Sequence, residues 1–260
     1  MIYKIINKIN DGKVIASILE FSLGDKLKFW WIFLLLPVLK YLPFMNISFN
    51  MPLTFKGMRI IVNISSSTDF AVIKEIFIDK EYEIKGTSIP TTIIDLGANT
   101  GFSVIYWKLM YPTTQIHAYE PDPSTFVKLE KNVSKMDNIF LYNEAVGSDE
   151  GLKEFYAHKS NISSSFGQRD GISKKIMVPT ITLDKAIERM GKVDLLKFDT
   201  EGAEFSIFSS SIKKNQIPTI IGEFHEDLVN KKLAEFLQLF SHTAQFSQIS
   251  KKRYIVELIR

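Results

Sequence analysis

Between residues 91 and 240, short apolar, strand-like runs alternate with segments of helical periodicity. This alternation constrains the fold most. Strands separated by helices pair in parallel, and the helices cover both faces of the sheet. The strand-like runs are Thr91–Leu96, Gln115–Tyr119, Ile139–Asn143, Val193–Phe198 and Thr219–Phe224. Helices are expected over residues 101–110, 123–136 and 182–190, from about Gly202, and over 226–240. Thr182 suits a cap. Leu152–Ala157 and Lys175–Pro179 read as added strands. The chain closes with Ala244–Ile249 and Tyr254–Ile259, joined by Ser250-Lys251-Lys252-Arg253. Strands joined by so short a turn run antiparallel. The expectation is an α/β fold with a doubly wound, mostly parallel sheet that ends in an antiparallel C-terminal hairpin.

The region before residue 59 has another character. Phe29–Phe44 reads FWWIFLLLPVLKYLPF, with Lys40 as its one charge. A membrane-crossing helix needs roughly 20 apolar residues, and this run is shorter. Pro37 and Pro43 would break or kink a helix. Lys26 and Lys28 precede the run, but no small-x-small cleavage site follows. The expectation is a helix buried against the main domain. Peripheral membrane contact through residues 29–44, using Trp30, Trp31 and Tyr41, is a second reading. A dimer surface, and hence an oligomer, is a third. Asn46–Lys56 has turn character. Arg59–Ser65 reads as a strand, and Ser67 or Thr68 would cap a helix from Asp69 to about Lys80. Residues 1–58 are therefore expected to form a helical, aromatic-rich extension and residues 59–260 the main domain. The expected location is cytoplasmic, with membrane association left open.

Composition removes several functions. The absence of cysteine excludes disulfides, thiolate-ligated zinc and a thiolate nucleophile. Thirty-two Lys and Arg against 29 acids leave a net charge of +3. The basic pairs are scattered, so no nucleic-acid partner is expected.

The chemistry gathers at the strand ends. Asp95-Leu96-Gly97-Ala98-Asn99-Thr100-Gly101 takes a strand through a glycine turn into a helix. In open α/β sheets, ligands bind outside such ends. Gly97 permits a tight turn and close ligand approach, and Gly101 permits close packing at the helix start. Asn99 stands where a dinucleotide fingerprint has its second glycine. Asp95 would repel a pyrophosphate but tolerate a cation. The pattern suits a ligand with a positive centre and no phosphates, namely S-adenosylmethionine. The next strand ends at Glu120-Pro121, near the spacing of about 20 residues at which an acid binds ribose hydroxyls. Asn143 and Ala145 close the third strand, at an adenine edge. The fourth ends in Lys197-Phe198-Asp199-Thr200-Glu201-Gly202-Ala203-Glu204. Asp199 is expected to face the cleft if Asp95 does, while Glu201 and Glu204 fit a solvated helix start. The fifth ends in Glu223-Phe224-His225, with Glu223 and His225 on one side of the strand.

These segments together resemble the FkbM-type S-adenosylmethionine-dependent methyltransferases. IIDLGANTGFS, YEPDPSTFVKLEKN, AVGSDEG, TLDKAI, VDLLKFDTEGAEF and IGEFH carry the resemblance, which covers about residues 60–260. It implies a Rossmann-like class I methyltransferase fold and methylation of hydroxyl oxygens on sugars, glycans or related small molecules. It also implies cofactor contacts at Gly97, Asn99, Gly101, Glu120 and Ala145, to which the motif adds Asp95, Ala98, Pro121 and Asn143. Asp199, Glu201, Glu223 and His225 would face the methyl group and acceptor. His225 or Glu223 is expected as general base, with Asp199 positioning the acceptor. A divalent cation on Asp199, Glu201, Glu223 or His225 is a weaker option, and no metal ligand is assigned. The Ser160–Ser165 loop with Phe166 would close over the acceptor. A nucleotide-dependent oxidoreductase and a non-catalytic cofactor-binding module are the rival classes.

Overall fold

The computed structural model of the chain describes residues 11–16, 23–39, 48–86, 89–158 and 173–260. The Ser160–Ser165 loop, Phe166, Lys40, Tyr41 and Pro43 lie outside these residues. The chain divides into two compact units, Met1–Glu81 and Tyr82–Arg260. The division expected after residue 58 thus falls after Glu81. The reason is that β2 (Met58–Ile64) pairs with β1 (Phe49–Phe55) in an antiparallel hairpin. Asn46–Lys56 is therefore not mainly a turn. Lys56 and Gly57 alone make it, both at positive φ, as a tight hairpin requires.

In the first unit, α1 (Leu23–Leu39) starts before the apolar run and includes Pro37 near its end. Its Phe29 and Phe33 are buried against Phe70 of α2 (Ser67–Ile73), with ring centroids 5.5 and 5.1 Å away. Ser66, rather than Ser67 or Thr68, caps α2, in a reciprocal capping box with Asp69. A π-helical turn at Lys74–Ile78 continues it. Among the described residues no helix is long and apolar enough to cross a membrane.

The second unit is built on a seven-stranded sheet in the order β11-β12-β10-β9-β3-β4-β5. Here β3 is Thr92–Leu96, β4 Gln115–Tyr119, β5 Ile139–Tyr142, β9 Leu195–Phe198, β10 Thr219–His225, β11 Thr243–Ser250 and β12 Arg253–Ile259. β3, β4, β5, β9 and β10 run parallel, and β12 is antiparallel to both β10 and β11. The expected sheet and closing hairpin are both present. The chain first builds outward from β3 through β4 to β5, then returns to the other side of β3 with β9. The order therefore reverses at β3, which places a cleft at its carboxyl end. β6 (Ala145–Gly147), β7 (Gly151–His158) and β8 (Ser173–Thr182) form a separate three-stranded sheet.

The helices are α3 (Phe102–Met110), α4 (Pro123–Val133), α5 (Leu183–Met190), α6 (Glu204–Ser210), α7 (Glu226–Val229) and α8 (Leu233–Leu237). All residues of α3 from Phe102 to Leu109 are buried, which accounts for its all-round apolar sequence. Thr182 caps α5 as expected. The single helix expected over 226–240 is two, because Asn230 takes a left-handed conformation at φ 50°. On one sheet face Phe198, Phe208, Phe224 and Phe236 share a core, with Phe224 stacked on Phe236 at 4.4 Å. Each such ring contributes roughly 1.5–3 kcal/mol by burial. This core fixes β9 and β10, whose ends carry the acids.

Candidate active site

The carboxyl ends of β3, β4 and β9 open into a cleft lined by Gly97, Asn99, Glu120, Ala145, Asp199 and Glu201, among others. Gly97 turns the chain out of β3 at φ 76°. A Cβ on Gly97 would lie 1.9 Å from the Asp199 carbonyl oxygen, and one on Gly222 would lie 1.9 Å from that of Phe198. Two glycines thus clamp the end of β9 from its neighbouring strands, and no other residue fits either place. Gly101, at φ 94°, packs against Leu129 of α4, where a Cβ would meet Leu129 Cδ1 at 2.7 Å. The close packing expected at this helix start is present.

Asp95 does not face the cleft. It is wholly buried and accepts a hydrogen bond from Ser103 Oγ at 2.6 Å. Lys197, its register partner on β9, stands 3.1 Å from Asp95 Oδ1 and donates to the Gly97 carbonyl at 2.7 Å. The ion pair lies beneath the glycine turn and fixes it from below. Asp95 and Asp199 therefore do not share a direction, contrary to expectation: Asp95 is consumed by Lys197, and Asp199 lines the cleft.

Glu120 lines the cleft at the end of β4. Its Oε2 accepts from the Asn99 amide and its Oε1 from the Asp122 amide, both at 2.9 Å. Burial dominates and pushes its carboxyl up to about 7, against the lowering effect of those amides. Asn143 does not reach the cleft lining. Its Nδ2 donates to the carbonyls of Glu120 and Pro121, at 2.8 and 3.1 Å, so it shapes the turn that carries Glu120. Ala98 is also behind the wall, its amide bonded to the Tyr119 carbonyl at 3.0 Å. Gly97, Asn99, Glu120, Pro121 and Ala145 do line the cleft, while Asp95, Ala98, Gly101 and Asn143 support it. Ala145 belongs to β6 of the added sheet instead of the end of β5. Phe155 of β7 joins it in the wall, a residue that strand-end reasoning missed because β7 belongs to the insertion.

His225 is buried completely at the end of β10. Its Nδ1 lies 3.0 Å from Glu204 Oε1. Around Nε2 stand Glu223 Oε1 at 3.3 Å, Glu201 Oε2 at 3.6 Å and Asp199 Oδ1 at 3.9 Å. Burial alone would lower the imidazole's proton affinity, but the Glu204 and Glu223 carboxylates and then Asp199 outweigh it and push the group up to about 11. His225 does not line the cleft, so the general base expected there stands behind its wall. Glu223 does not line the cleft either and has Arg253 Nη1 at 3.7 Å. Glu204 is a further correction. Far from being solvated, it is wholly buried and accepts from the Thr200 and Gly202 amides. Of the four expected catalytic residues, Asp199 and Glu201 reach the cleft. Glu201 does so from a left-handed backbone at φ 51°.

Residues 95–252 match the family model described as "Methyltransferase FkbM domain". The chain belongs to the FkbM methyltransferase family. Its relatives include "Methyltransferase 1" of Beauveria bassiana, 27% identical in an alignment 187 positions long that covers 62% of this chain and 71% of that protein. "2-O-methyltransferase NoeI" of Sinorhizobium fredii is 25% identical over 135 residues, 45% of this chain and 56% of that protein. "31-O-demethyl-FK506 methyltransferase FkbM" of Streptomyces tacrolimicus is 26% identical over 114 residues, 43% of this chain and 44% of that protein. A solved FkbM methyltransferase from Methylobacillus flagellatus aligns with a TM-score of 0.47 at 11% identity, over 67% of this chain and 45% of that one. FkbM membership agrees with the sequence resemblance and displaces the oxidoreductase reading.

Proposed function

We propose that this FkbM methyltransferase transfers a methyl group from S-adenosylmethionine to a hydroxyl oxygen on a sugar, glycan or related small molecule. One observation carries the reading. The described cleft lining contains four acids, Glu120, Glu144, Asp199 and Glu201, and no lysine, arginine or histidine. Such a lining repels a pyrophosphate and accepts a cationic ligand.

The residues fit that cofactor. Glu120 is a buried acceptor whose oxygens keep further lone pairs for a ribose diol. Ala145, Val146 and Phe155 offer an apolar wall for a base. Bound S-adenosylmethionine supplies an electrophilic methyl on a sulfonium. The chain itself has to align the acceptor and take up its proton. We assign that role to Asp199. Its side chain is 28% exposed, yet its Oδ1 is buried with no hydrogen-bond partner. One relative named as a 2-O-methyltransferase and another named for a 31-O-demethyl compound support oxygen as the target atom. Calorimetric titration tests the cofactor: S-adenosylhomocysteine is expected to bind and NAD not to. Binding of NAD alone would overturn the reading.

The exposed stripe Leu23, Leu27, Trp31 and Leu34 along α1 supports a second role, peripheral contact with a membrane surface.

A further inference from the structure

The Asp199–Glu201–His225 cluster contains more than methyl transfer requires. Ligand atoms of these three residues lie within 4.8 Å of one another. Glu223 Oε1 adds a fourth, 3.3 Å from His225 Nε2. Acids alone would prove little. The independent observation is His225, whose side chain is 0% exposed and whose Nε2 has no hydrogen-bond partner while pointing into the three carboxylates. Nε2 and three carboxylate oxygens at 3.3, 3.6 and 3.9 Å converge on one point, a donor set matched to a cation.

The opposite side of the ring is already arranged. Nδ1 sits 3.0 Å from Glu204 Oε1, and Glu204 is itself held by the Thr200 and Gly202 amides. A carboxylate that fixes the far nitrogen of an imidazole sets the tautomer with its lone pair on the near one. We propose that Asp199, Glu201 and His225, with Glu223 at the rim, bind one divalent cation of the magnesium–manganese class. Carboxylate oxygens outnumber the single imidazole, which favours hard cations, and no cysteine exists to favour a soft one. Asp199 and Glu201 also line the cleft, so the ion would meet the acceptor oxygen and ease its deprotonation. That last role rests on the methyl-transfer reading, whereas ion binding does not.

The test uses the full chain, stripped with chelator and titrated with Mn²⁺ while free ion is followed by electron paramagnetic resonance. One Mn²⁺ per chain is expected. The Asp199→Asn, Glu201→Gln double variant is expected to bind it at least tenfold more weakly. Pulsed resonance on the wild type should show a directly bound nitrogen, which His225→Ala removes; that readout holds even if the double variant fails to fold. No depletion of free Mn²⁺ up to about 1 mM, or bound Mn²⁺ without a nitrogen coupling, would overturn the proposal. Binding of S-adenosylhomocysteine is measured in parallel. Loss of that signal with Mn²⁺ bound would count against the methyl-transfer reading alone.

Discussion

Glu204 and His225 meet at 3.0 Å, Oε1 to Nδ1, with neither side chain exposed to solvent. The pair ties α6 to the end of β10. Glu204→Gln keeps the shape but weakens a charge-assisted bond, and should cost about 1–3 kcal/mol. Glu204→Ala leaves the imidazolium without its main partner and should cost roughly 3–5 kcal/mol. Because the folded imidazole is raised to about 11, the pair's stabilisation is full below its ordinary 6.5 and is lost as pH rises through 11. Urea denaturation at pH 7 measures the two variants. Wild-type stability in both would contradict the assigned role.

Glu120 predicts a pH dependence of cofactor binding. Its carboxyl is raised to about 7, so ionising it in the unliganded fold lowers stability as pH rises from its ordinary value of 4.5 through 7. A ribose diol donates to the ionised form. Cofactor affinity should therefore rise with pH, approaching tenfold per unit below 7. Calorimetry with S-adenosylhomocysteine between pH 5.5 and 8 checks this. Glu120→Gln should bind weakly and without that slope.

Gly97→Ala would place a methyl 1.9 Å from the Asp199 carbonyl at a backbone φ of 76°. The overlap should cost roughly 1–3 kcal/mol, with about 1–2 kcal/mol more for the left-handed conformation. It would also shift Asp199, so turnover should fall more than the melting temperature alone implies. An alanine variant with wild-type melting and turnover would remove the clamp from the account.

The strand ends were legible in the sequence because glycines and acids there have few other uses, and the parallel sheet followed from the alternation of strands with helices. What a side chain does at its strand end was less legible. Asp95 read as a cofactor group, but its partner Lys197 lies 102 residues later and arrives only through the β3–β9 register. Glu204 read as a solvated helix start, the usual place for an acid, until β10 brings His225 onto it. The break at Asn230 was hidden because Val229, Leu233, Phe236 and Phe240 keep a helical spacing across it. Phe155 enters the cleft from an inserted sheet that no strand-end pattern marks.

On α1, Leu23, Leu27, Trp31 and Leu34 are 78%, 68%, 58% and 58% exposed. If this stripe contacts membranes, the chain should float with anionic lipid vesicles, and Leu27→Glu with Trp31→Glu should abolish flotation while leaving cofactor binding intact. A wild-type chain that stays with the soluble fraction would remove this role.

Methyl transfer to oxygen at an acidic cleft, with Asp199 at the reacting end, can be followed atom by atom. The most direct measurement incubates the chain with S-adenosylmethionine carrying a ¹³C methyl and a panel of glycans and hydroxylated small molecules, and locates the label by NMR. The account predicts a methyl ether, formed about 10²–10⁴-fold more slowly by Asp199→Asn, with S-adenosylhomocysteine affinity unchanged. Label on nitrogen or carbon, no product from any acceptor, or full turnover by Asp199→Asn would contradict it.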